Sequence, residues 1–246
     1  MIAAPCGFTL LRVGDVFILA RDSLPQALLE AGADRPESLV TARPLGVGSG
    51  RGPRGVVDLA GGERLLIKQN LRGGVLSRWN REIYFGVERF RRELVVSRDA
   101  LAAGCPIVPT RAVVLERRRL GWRAWSATPL IEPAEDLACC LSACTASSDI
   151  EAILSRVVAC VHELHEGGLY HRDLNLGNVL LSPEAPPLII DLDRACLFPG
   201  GVPHRLRRRV RSRFVRSYLK ILGPTPVLPV TAIDEIWPRL GRRGTA

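Results

Sequence analysis

The sequence lacks a long apolar run, a CxxC cysteine pair and any low-complexity tract. No apolar segment reaches the roughly 18 residues that a membrane span needs, and residues 1–15 lack the basic start and long apolar core of a signal peptide. With 47% hydrophobic and 24% charged residues, the composition excludes a disordered chain. We expect a cytoplasmic globular protein whose 246 residues form one large core or two small lobes.

The arrangement of the cysteines and the scarcity of lysine are both informative. The seven cysteines form no metal or disulfide pattern, so we expect reduced core thiols, Cys139 and Cys140 included. The chain has only two lysines, Lys68 and Lys220, against 32 arginines. Arginine is thus used wherever a positive charge alone is needed. A lysine at the end of the strand-like LLIK therefore stands out, because a compact ammonium and a planar guanidinium suit different sites.

Acidic residues are scarce near the C-terminus. Residues 194–246 hold 12 Lys and Arg against 2 Asp and Glu, whereas residues 1–193 hold 22 against 23. The whole excess of the formal net charge of +9 therefore lies in the last fifth of the chain. This distribution indicates an anionic partner for that segment.

The hydrophobic pattern changes along the chain from strands to helices. A glycine-rich segment over 45–55 precedes a β-hairpin with a GG turn, and a helix is predicted over Arg81–Ala103. Residues 111–131 read as two strands joined at a charged turn. The segment Glu132–Asp136 interrupts the pattern and is interpreted as a linker between two lobes.

The second half of the chain is predicted to be mostly helical. A capping box from Ser148 to Glu151 starts the clearest helix, which a glycine pair ends at 167–168. The predicted organisation is an N-lobe over 1–131, a hinge over 132–136 and a C-lobe over 137–246.

A polar cluster lies between two apolar segments at residues 168–181, which read GLYHRDLNLGNVLL. HRDLNLGN fits the catalytic-loop pattern HRDLxxxN of protein kinases, and IDLD follows where such enzymes carry DFG. Phosphoryl transfer needs a carboxylate that accepts the proton of the attacking hydroxyl, a role that suits Asp173. It also needs oxygen ligands for Mg2+, which Asn178 and Asp191 provide. The alternative is a turn in which these side chains only satisfy backbone groups.

The N-terminal half contains a matching nucleotide-binding pattern. Gly50, Gly52 and Gly55 form GxGxxG, a loop whose backbone N–H groups can approach phosphates, and Lys68 follows on the next strand. We expect Lys68 to hold the α- and β-phosphates of a nucleotide, with Glu93 as its acidic partner. The alternative is an edge-strand lysine facing water.

Two other glutamates compete with Glu93 for this role. Glu82 and Glu88 lie in the same predicted helix, and any of the three could be an ordinary solvated charge.

These residues resemble the lipopolysaccharide kinases, a family that includes 3-deoxy-D-manno-octulosonic acid (Kdo) kinase and the core heptose kinases. The resemblance covers roughly residues 45–220, through GRGPRG, LIKQNLRGG, FRREL, HRDLNLGNVLL and IIDLDRA. It implies an α+β, two-lobed protein-kinase-like fold with a β-rich N-lobe and a small, mostly helical C-lobe. The acidic Asp193 followed by Arg194 is typical of this family, and the short chain after it argues against a lobe that docks protein substrates.

The resemblance also implies the reaction and supports the roles of individual residues. ATP and Mg2+ are the expected co-substrates, and a sugar hydroxyl of the lipid A inner core is the expected acceptor. It supports Lys68 with Glu93, Asp173 as the base, and Asn178 with Asp191 as metal ligands.

The basic segment over 205–220 has apolar residues at helical spacing and predicts an amphipathic helix. One interpretation places it on the anionic inner face of the inner membrane or on the phosphorylated acceptor. The other packs its apolar stripe on the C-lobe and leaves the arginines in solvent. Nucleic acid is not favoured, because few aromatic residues lie among the arginines.

Two other functions stay open on the sequence alone. One is an atypical protein kinase or a small-molecule phosphotransferase, and the other is a non-catalytic nucleotide-binding module. The sequence does not predict the oligomeric state.

Overall fold

The structure is a computed structural model that describes residues 2–41, 44, 52–72, 81–223 and 226–237. The chain divides into two compact units. Unit 1 comprises Met1–Arg98 and Pro109–Leu130, and unit 2 comprises Asp99–Val108 and Ile131–Ala246. The α+β class and the β-rich N-terminal part are confirmed, whereas the lobe and hinge boundaries stay a prediction.

Eleven strands and seven helices are named here in chain order. The strands are β1 Thr9–Val13, β2 Val16–Ala20, β3 Arg54–Asp58, β4 Arg64–Gln69, β5 Ala112–Arg118, β6 Gly121–Pro129, β7 Glu135–Asp136, β8 Leu169–Tyr170, β9 Val179–Leu181, β10 Leu188–Ile189 and β11 Cys196–Leu197. The helices are α1 Leu24–Glu30, α2 Pro36–Thr41, α3 Glu88–Ala102, α4 Leu137–Ala143, α5 Ser147–Glu166, α6 His204–Leu222 and α7 Val230–Ile236.

Unit 1 is built on a six-stranded sheet in the order β1-β2-β5-β6-β4-β3, in which all neighbours are antiparallel. The hairpins β3–β4 and β5–β6 confirm the two pairs of strands that the sequence predicts. Strand β2, VFILA, is buried at every position. A run that is apolar throughout is expected of a central strand with both faces covered.

Each face of this sheet has its own hydrophobic core. One core joins β2, β4, β5 and β6 to α1 and α2, through residues such as Leu28, Leu39 and Trp125. The other packs Phe90 and Leu94 of α3 against the opposite face.

Two predictions for unit 1 need correction. The helix predicted over Arg81–Ala103 begins only at Glu88, because the backbone of Tyr84 exchanges hydrogen bonds with Trp122 at the end of the sheet. The N-terminal hairpin β1–β2 and the helices α1 and α2 were not predicted at all.

Unit 2 contains the remaining helices and two small sheets, ordered β10-β9-β7 and β11-β8. The helix predicted after Ser148 is confirmed as α5, and its apolar stripe, including Leu154, Val158 and Leu164, is buried. The predicted capping box is wrong, because the helix begins at Ser147 and its N-cap, Ala146, makes no side-chain hydrogen bond.

Two absences predicted from the sequence can be examined in the structure. In the described ranges, no helix combines the length and the apolarity that crossing a membrane requires. All seven cysteines are free thiols. Cys105 and Cys160 are buried as expected, but Cys6 and Cys139 are exposed, so the assignment of these two to the core is wrong.

Candidate active site

The hairpin β9–β10 determines where two of the predicted site residues lie. Val179 of β9 is opposite Ile189 of β10. Asn178 comes directly before β9, and the N–H of Ile190 donates to its carbonyl oxygen at 3.0 Å. Asp191 is the next residue along the chain. Because the strands are antiparallel, Asn178 and Asp191 therefore lie at the same end of the hairpin.

The side chain of Asn178 is oriented by the catalytic loop, residues 171–178. Its Nδ2 donates to the carbonyl oxygen of Asp173 at 3.1 Å, so its Oδ1 is the atom that can bind a cation. Asp191 is exposed and has a φ of +62°, a left-handed conformation that is uncommon for a residue with a side chain. The backbone is thus held in an unusual geometry at the residue predicted to bind the metal.

These two oxygen donors fit Mg2+. Among the residues that the structure describes, no three His, Cys, Asp or Glu side chains gather as a metal site. One amide oxygen and one carboxylate provide only hard oxygen ligands, and few of them. Such a set suits Mg2+, which usually keeps several waters and binds one or two protein ligands together with substrate phosphates.

His171 joins the catalytic loop to the segment that carries Asp191. Its side chain is fully buried, and its Nε2 lies 2.8 Å from the carbonyl oxygen of Asp191 and 3.2 Å from that of Ile190. Since both partners are acceptors, Nε2 carries the proton and donates. Burial lowers the pKa of His171, which favours the neutral imidazole. Through its hydrogen bonds the residue braces the backbone around Asp191.

Asn175 is also used within the loop. It is the N-cap of a single 3-10 turn over Leu176–Asn178, where its Oδ1 accepts from the N–H of Gly177 at 2.9 Å. Its Nδ2 donates to the carbonyl oxygen of Asp173 at 2.9 Å. Both functional groups of this amide are thus engaged with the backbone, which gives Asn175 a structural role.

Asp173, the predicted base, accepts a hydrogen bond from the basic segment over 205–220. Nη1 of Arg213, on α6, donates to its Oδ1 at 2.7 Å. The N–H of Leu176 donates to Oγ of Ser217, one turn further along the same helix, at 3.2 Å. Helix α6 therefore contacts the catalytic loop at two points. The only sequence signal for these contacts is the i,i+4 spacing of Arg213 and Ser217.

Lys68 lies on β4, on the face of the sheet that α3 covers. Its register partners are Arg54 on β3 and Ser126 on β6, and Ser126 is opposite Val113 on β5. Directly opposed residues share a face, and Val113 belongs to the core that contains Phe90 of α3. The strand lysine and the helix with the candidate glutamate therefore occupy the same side of the unit 1 sheet.

Glu93 is held by Thr110, a residue that sequence reasoning missed. The Thr110 hydroxyl donates to Oε1 of Glu93 at 2.8 Å, and the Thr110 N–H donates to Oγ of Ser97 at 2.7 Å. The rival glutamates have arginine partners in unit 1. Glu82 pairs with Arg123 at 3.0 Å, and Glu88 with Arg91 at 2.6 Å.

The predicted glycine loop is only partly described. Gly50 lies outside the described residues. Gly52 passes so close to β4 that a Cβ there would be 2.3 Å from the carbonyl oxygen of Gln69, so a side chain is excluded. Gly55 lies within β3, opposite Ile67 of β4. The role of these glycines in phosphate binding stays a prediction.

Comparison with known proteins gives a consistent result. Residues 43–209 match the model of the lipopolysaccharide kinase (Kdo/WaaP) family. The chain is 32% identical over 190 residues to a 3-deoxy-D-manno-octulosonic acid kinase of Xylella fastidiosa (strain M12), which covers 76% of this chain and 73% of that protein. It is also 32% identical over 186 residues to the 3-deoxy-D-manno-octulosonic acid kinase of Xanthomonas axonopodis pv. citri (strain 306). This match covers 74% of this chain and 72% of that protein.

Proposed function

Because this chain belongs to the lipopolysaccharide kinase (Kdo/WaaP) family, we propose that it transfers the γ-phosphate of ATP to a hydroxyl of an inner-core sugar, with Asp173 as the base. The enzyme class is a phosphotransferase that acts on a sugar hydroxyl. The observation that supports the assigned roles best is the hydrogen-bonded catalytic loop, which carries Asp173 and Asn178 and is joined by hydrogen bonds of His171 and Ile190 to the segment that carries Asp191.

The proposed reaction uses Asp173 to orient the acceptor and to accept its proton. As the sugar oxygen bonds to the γ-phosphorus, the bond from that phosphorus to the bridging β–γ oxygen breaks, ADP leaves, and the proton passes to Asp173. Asn178 and Asp191 would hold Mg2+, which would supply neutralising charge to the phosphates of ATP. Lys68, kept in place by Glu93, holds the α- and β-phosphates.

We propose Kdo of Kdo–lipid A as the acceptor sugar, because the curated relatives described above are named for Kdo. A heptose of the core is the alternative within the family. Incubation with ATP labelled at the γ-phosphate and with separate pools of Kdo–lipid A, heptose-containing core, protein and free sugars tests this directly. Label in Kdo–lipid A alone supports the proposal. Label in protein or in free sugars alone contradicts it and favours a protein kinase or a small-molecule phosphotransferase.

Helix α6 supports a peripheral encounter with an anionic lipid surface. Its apolar stripe is not available for insertion, because Val210, Phe214 and Tyr218 are buried in unit 2. The contact would therefore be electrostatic. Arg205, Arg208 and Arg209 are exposed, and within the described ranges none of the three makes an ion pair.

Vesicle binding tests the lipid-surface proposal. Each basic residue near an anionic surface contributes about 1 kcal/mol. We expect binding to vesicles that contain anionic lipid but not to zwitterionic ones, and binding should weaken in the triple variant Arg205→Gln/Arg208→Gln/Arg209→Gln. Equal binding to both kinds of vesicle would contradict the electrostatic account.

A further inference from the structure

Helix α6 is anchored in unit 2 on both sides of Arg213. Near its start, Arg207 is largely buried and its Nη1 donates to Oε1 of Glu166 at 2.6 Å. Further along, the Tyr218 hydroxyl donates to the carbonyl oxygen of Leu228 at 2.8 Å. Phe214, between them, is fully buried. The helix therefore cannot rotate freely, and the direction in which Arg213 leaves it is fixed by packing.

Arg213 and Ser217 form the side of α6 that meets the catalytic loop. They are four residues apart, so they lie one above the other on the helix. Arg213 binds the side chain of Asp173 and Ser217 binds the N–H of Leu176. Two contacts at this spacing fix both the position and the tilt of the loop relative to the helix.

The hydrogen bonds of Asp173 indicate which of its oxygens can meet a substrate. The carbonyl oxygen of Asp173 accepts from Asn175 and from Asn178, and its Oδ1 accepts from Arg213. Across the part of the chain that the structure describes, no hydrogen bond reaches Oδ2. The side chains of Asp173 and Arg213 are each 44% exposed, so the carboxylate side chain is in contact with solvent.

We propose that Arg213 is a positioning residue for the reaction: it holds Oδ1 of Asp173 so that Oδ2 meets the acceptor hydroxyl in a single orientation. This inference rests on the proposed function, in which Asp173 is the base. A guanidinium is well suited to the task, because its planar, charge-assisted hydrogen bond restricts rotation of a carboxylate. Part of the basic helix thereby belongs to the active site.

The competing explanation is an ordinary surface ion pair. A half-exposed pair contributes little to folding stability, so its removal alone should leave both stability and turnover nearly unchanged. The same helix offers a matched case. Arg211 pairs with Asp234 of α7, with side chains 37% and 47% exposed, and this pair does not involve the catalytic loop.

The test compares Arg213→Ala and Arg213→Gln with Arg211→Ala in the full chain. Mg2+–ATP and Kdo–lipid A are the substrates, and kcat, the KM for ATP and the melting temperature are measured. For both Arg213 variants we expect kcat to fall roughly 10- to 100-fold, because a small displacement of a catalytic group has an effect of that size. The KM for ATP and the melting temperature should stay near the wild-type values, and Arg211→Ala should retain wild-type kcat.

Chemical rescue distinguishes a positioning role from a structural one. Added guanidinium at concentrations that do not denature the protein should restore part of the kcat of Arg213→Ala and should not affect Arg211→Ala. A wild-type kcat in Arg213→Gln overturns the inference, as does a loss in Arg211→Ala as large as that in Arg213→Ala. Absence of transfer by the wild-type protein on the whole acceptor panel overturns the proposed function instead.

Discussion

Helices α3 and α6 each present a charged residue and a serine, four residues apart, to a neighbouring segment of their own unit. On α3, Glu93 and Ser97 bind Thr110. On α6, Arg213 and Ser217 bind Asp173 and Leu176. The α3 contacts involve a neutral partner and a fully buried serine, whereas the α6 ion pair is half exposed.

The difference between the two contacts indicates different purposes. A buried hydrogen bond whose loss leaves an unpaired group affects folding, whereas an exposed ion pair contributes little to it. We therefore expect the α3 contact to stabilise unit 1 and to hold Glu93 for Lys68. We expect the α6 contact to act on turnover.

The largest effect is expected for the residue that α6 holds. Asp173→Asn keeps the size of the side chain but removes the base, so kcat should fall by about 10²- to 10⁴-fold. Asp149→Asn makes the same chemical change at an exposed position on α5 and should keep wild-type kcat. Transfer of label from ATP to Kdo–lipid A measures both. Substantial turnover by Asp173→Asn would refute its assignment as the base.

The predicted metal ligands should give the next largest effect. Asp191→Asn exchanges a carboxylate for a neutral amide, so the Mg2+ concentration for half-maximal rate should rise, roughly 10-fold or more. Asn178→Ala should shift the requirement in the same direction and also loosens the loop, because its Nδ2 donates to Asp173. A Mg2+ titration at saturating ATP measures the shift. An unchanged midpoint in both variants is incompatible with these residues as ligands.

Substitutions of Lys68 should weaken nucleotide binding and should not lower folding stability. Because the chain otherwise uses arginine almost exclusively, Lys68→Arg is the informative substitution. A planar guanidinium cannot replace a compact ammonium between two phosphates, so the KM for ATP should rise, roughly 10-fold, in Lys68→Arg and also in Lys68→Met. Wild-type kinetics in Lys68→Arg would show that any positive charge suffices at this position. That result would contradict a specific role of the lysine ammonium in binding the α- and β-phosphates.

The α3 contact should affect stability most. Ser97→Ala leaves the N–H of Thr110 without its acceptor in a buried site, at a cost of about 1–3 kcal/mol in the free energy of unfolding. Ser217→Ala, the corresponding change on α6, should cost less, because its site is only partly buried. Urea unfolding compares the two. A larger loss for Ser217→Ala would reverse the contrast between the helices.

The smallest effect is a pH dependence that arises in unit 2. His165 is buried on α5, with burial as the main cause that lowers its pKa to about 3. The unfolded chain therefore binds a proton near pH 6.5 that the folded protein does not bind until about pH 3, so stability falls as pH drops below 6.5. The slope is at most about 1.4 kcal/mol per pH unit for this group.

Urea unfolding at pH 7.5 and pH 5.5 measures this dependence. His165→Leu should reduce it, whereas His204→Gln, at an exposed position at the start of α6, should not. An unchanged pH dependence in His165→Leu would contradict this source of acid sensitivity.

Local patterns in the sequence predicted the elements that have strong turn signals. The GG turn located the hairpin β3–β4, and the charged turn located β5–β6. The polar loop located Asp173 and Asn178, and the segment IDLD located Asp191, on either side of a short hairpin. The first hairpin was missed although Gly14, with a φ of +59°, marks its turn. Its second strand, β2, is apolar throughout because both of its faces are covered, so it lacks the alternation that identifies a strand.

The contacts made by α6 could not be predicted in the same way. The arginines over 205–216 are predicted to lie either on an anionic surface or in solvent, yet three of them have partners within the protein. Arg207 binds Glu166, Arg211 binds Asp234 and Arg213 binds Asp173. These pairings depend on how α6 packs against its own unit, and a helical pattern shows which residues share a face but not what that face meets. The same holds for Thr110, whose contact with Glu93 depends on tertiary packing.

Mass spectrometry of the lipid product is the most direct test of phosphate transfer to Kdo with Asp173 as the base. Kdo–lipid A incubated with Mg2+–ATP and the wild-type protein should gain one phosphate on its Kdo portion, and the same incubation with Asp173→Asn should leave the lipid unmodified. Unmodified Kdo–lipid A after incubation with the wild-type protein, or an equal gain with Asp173→Asn, would contradict the account.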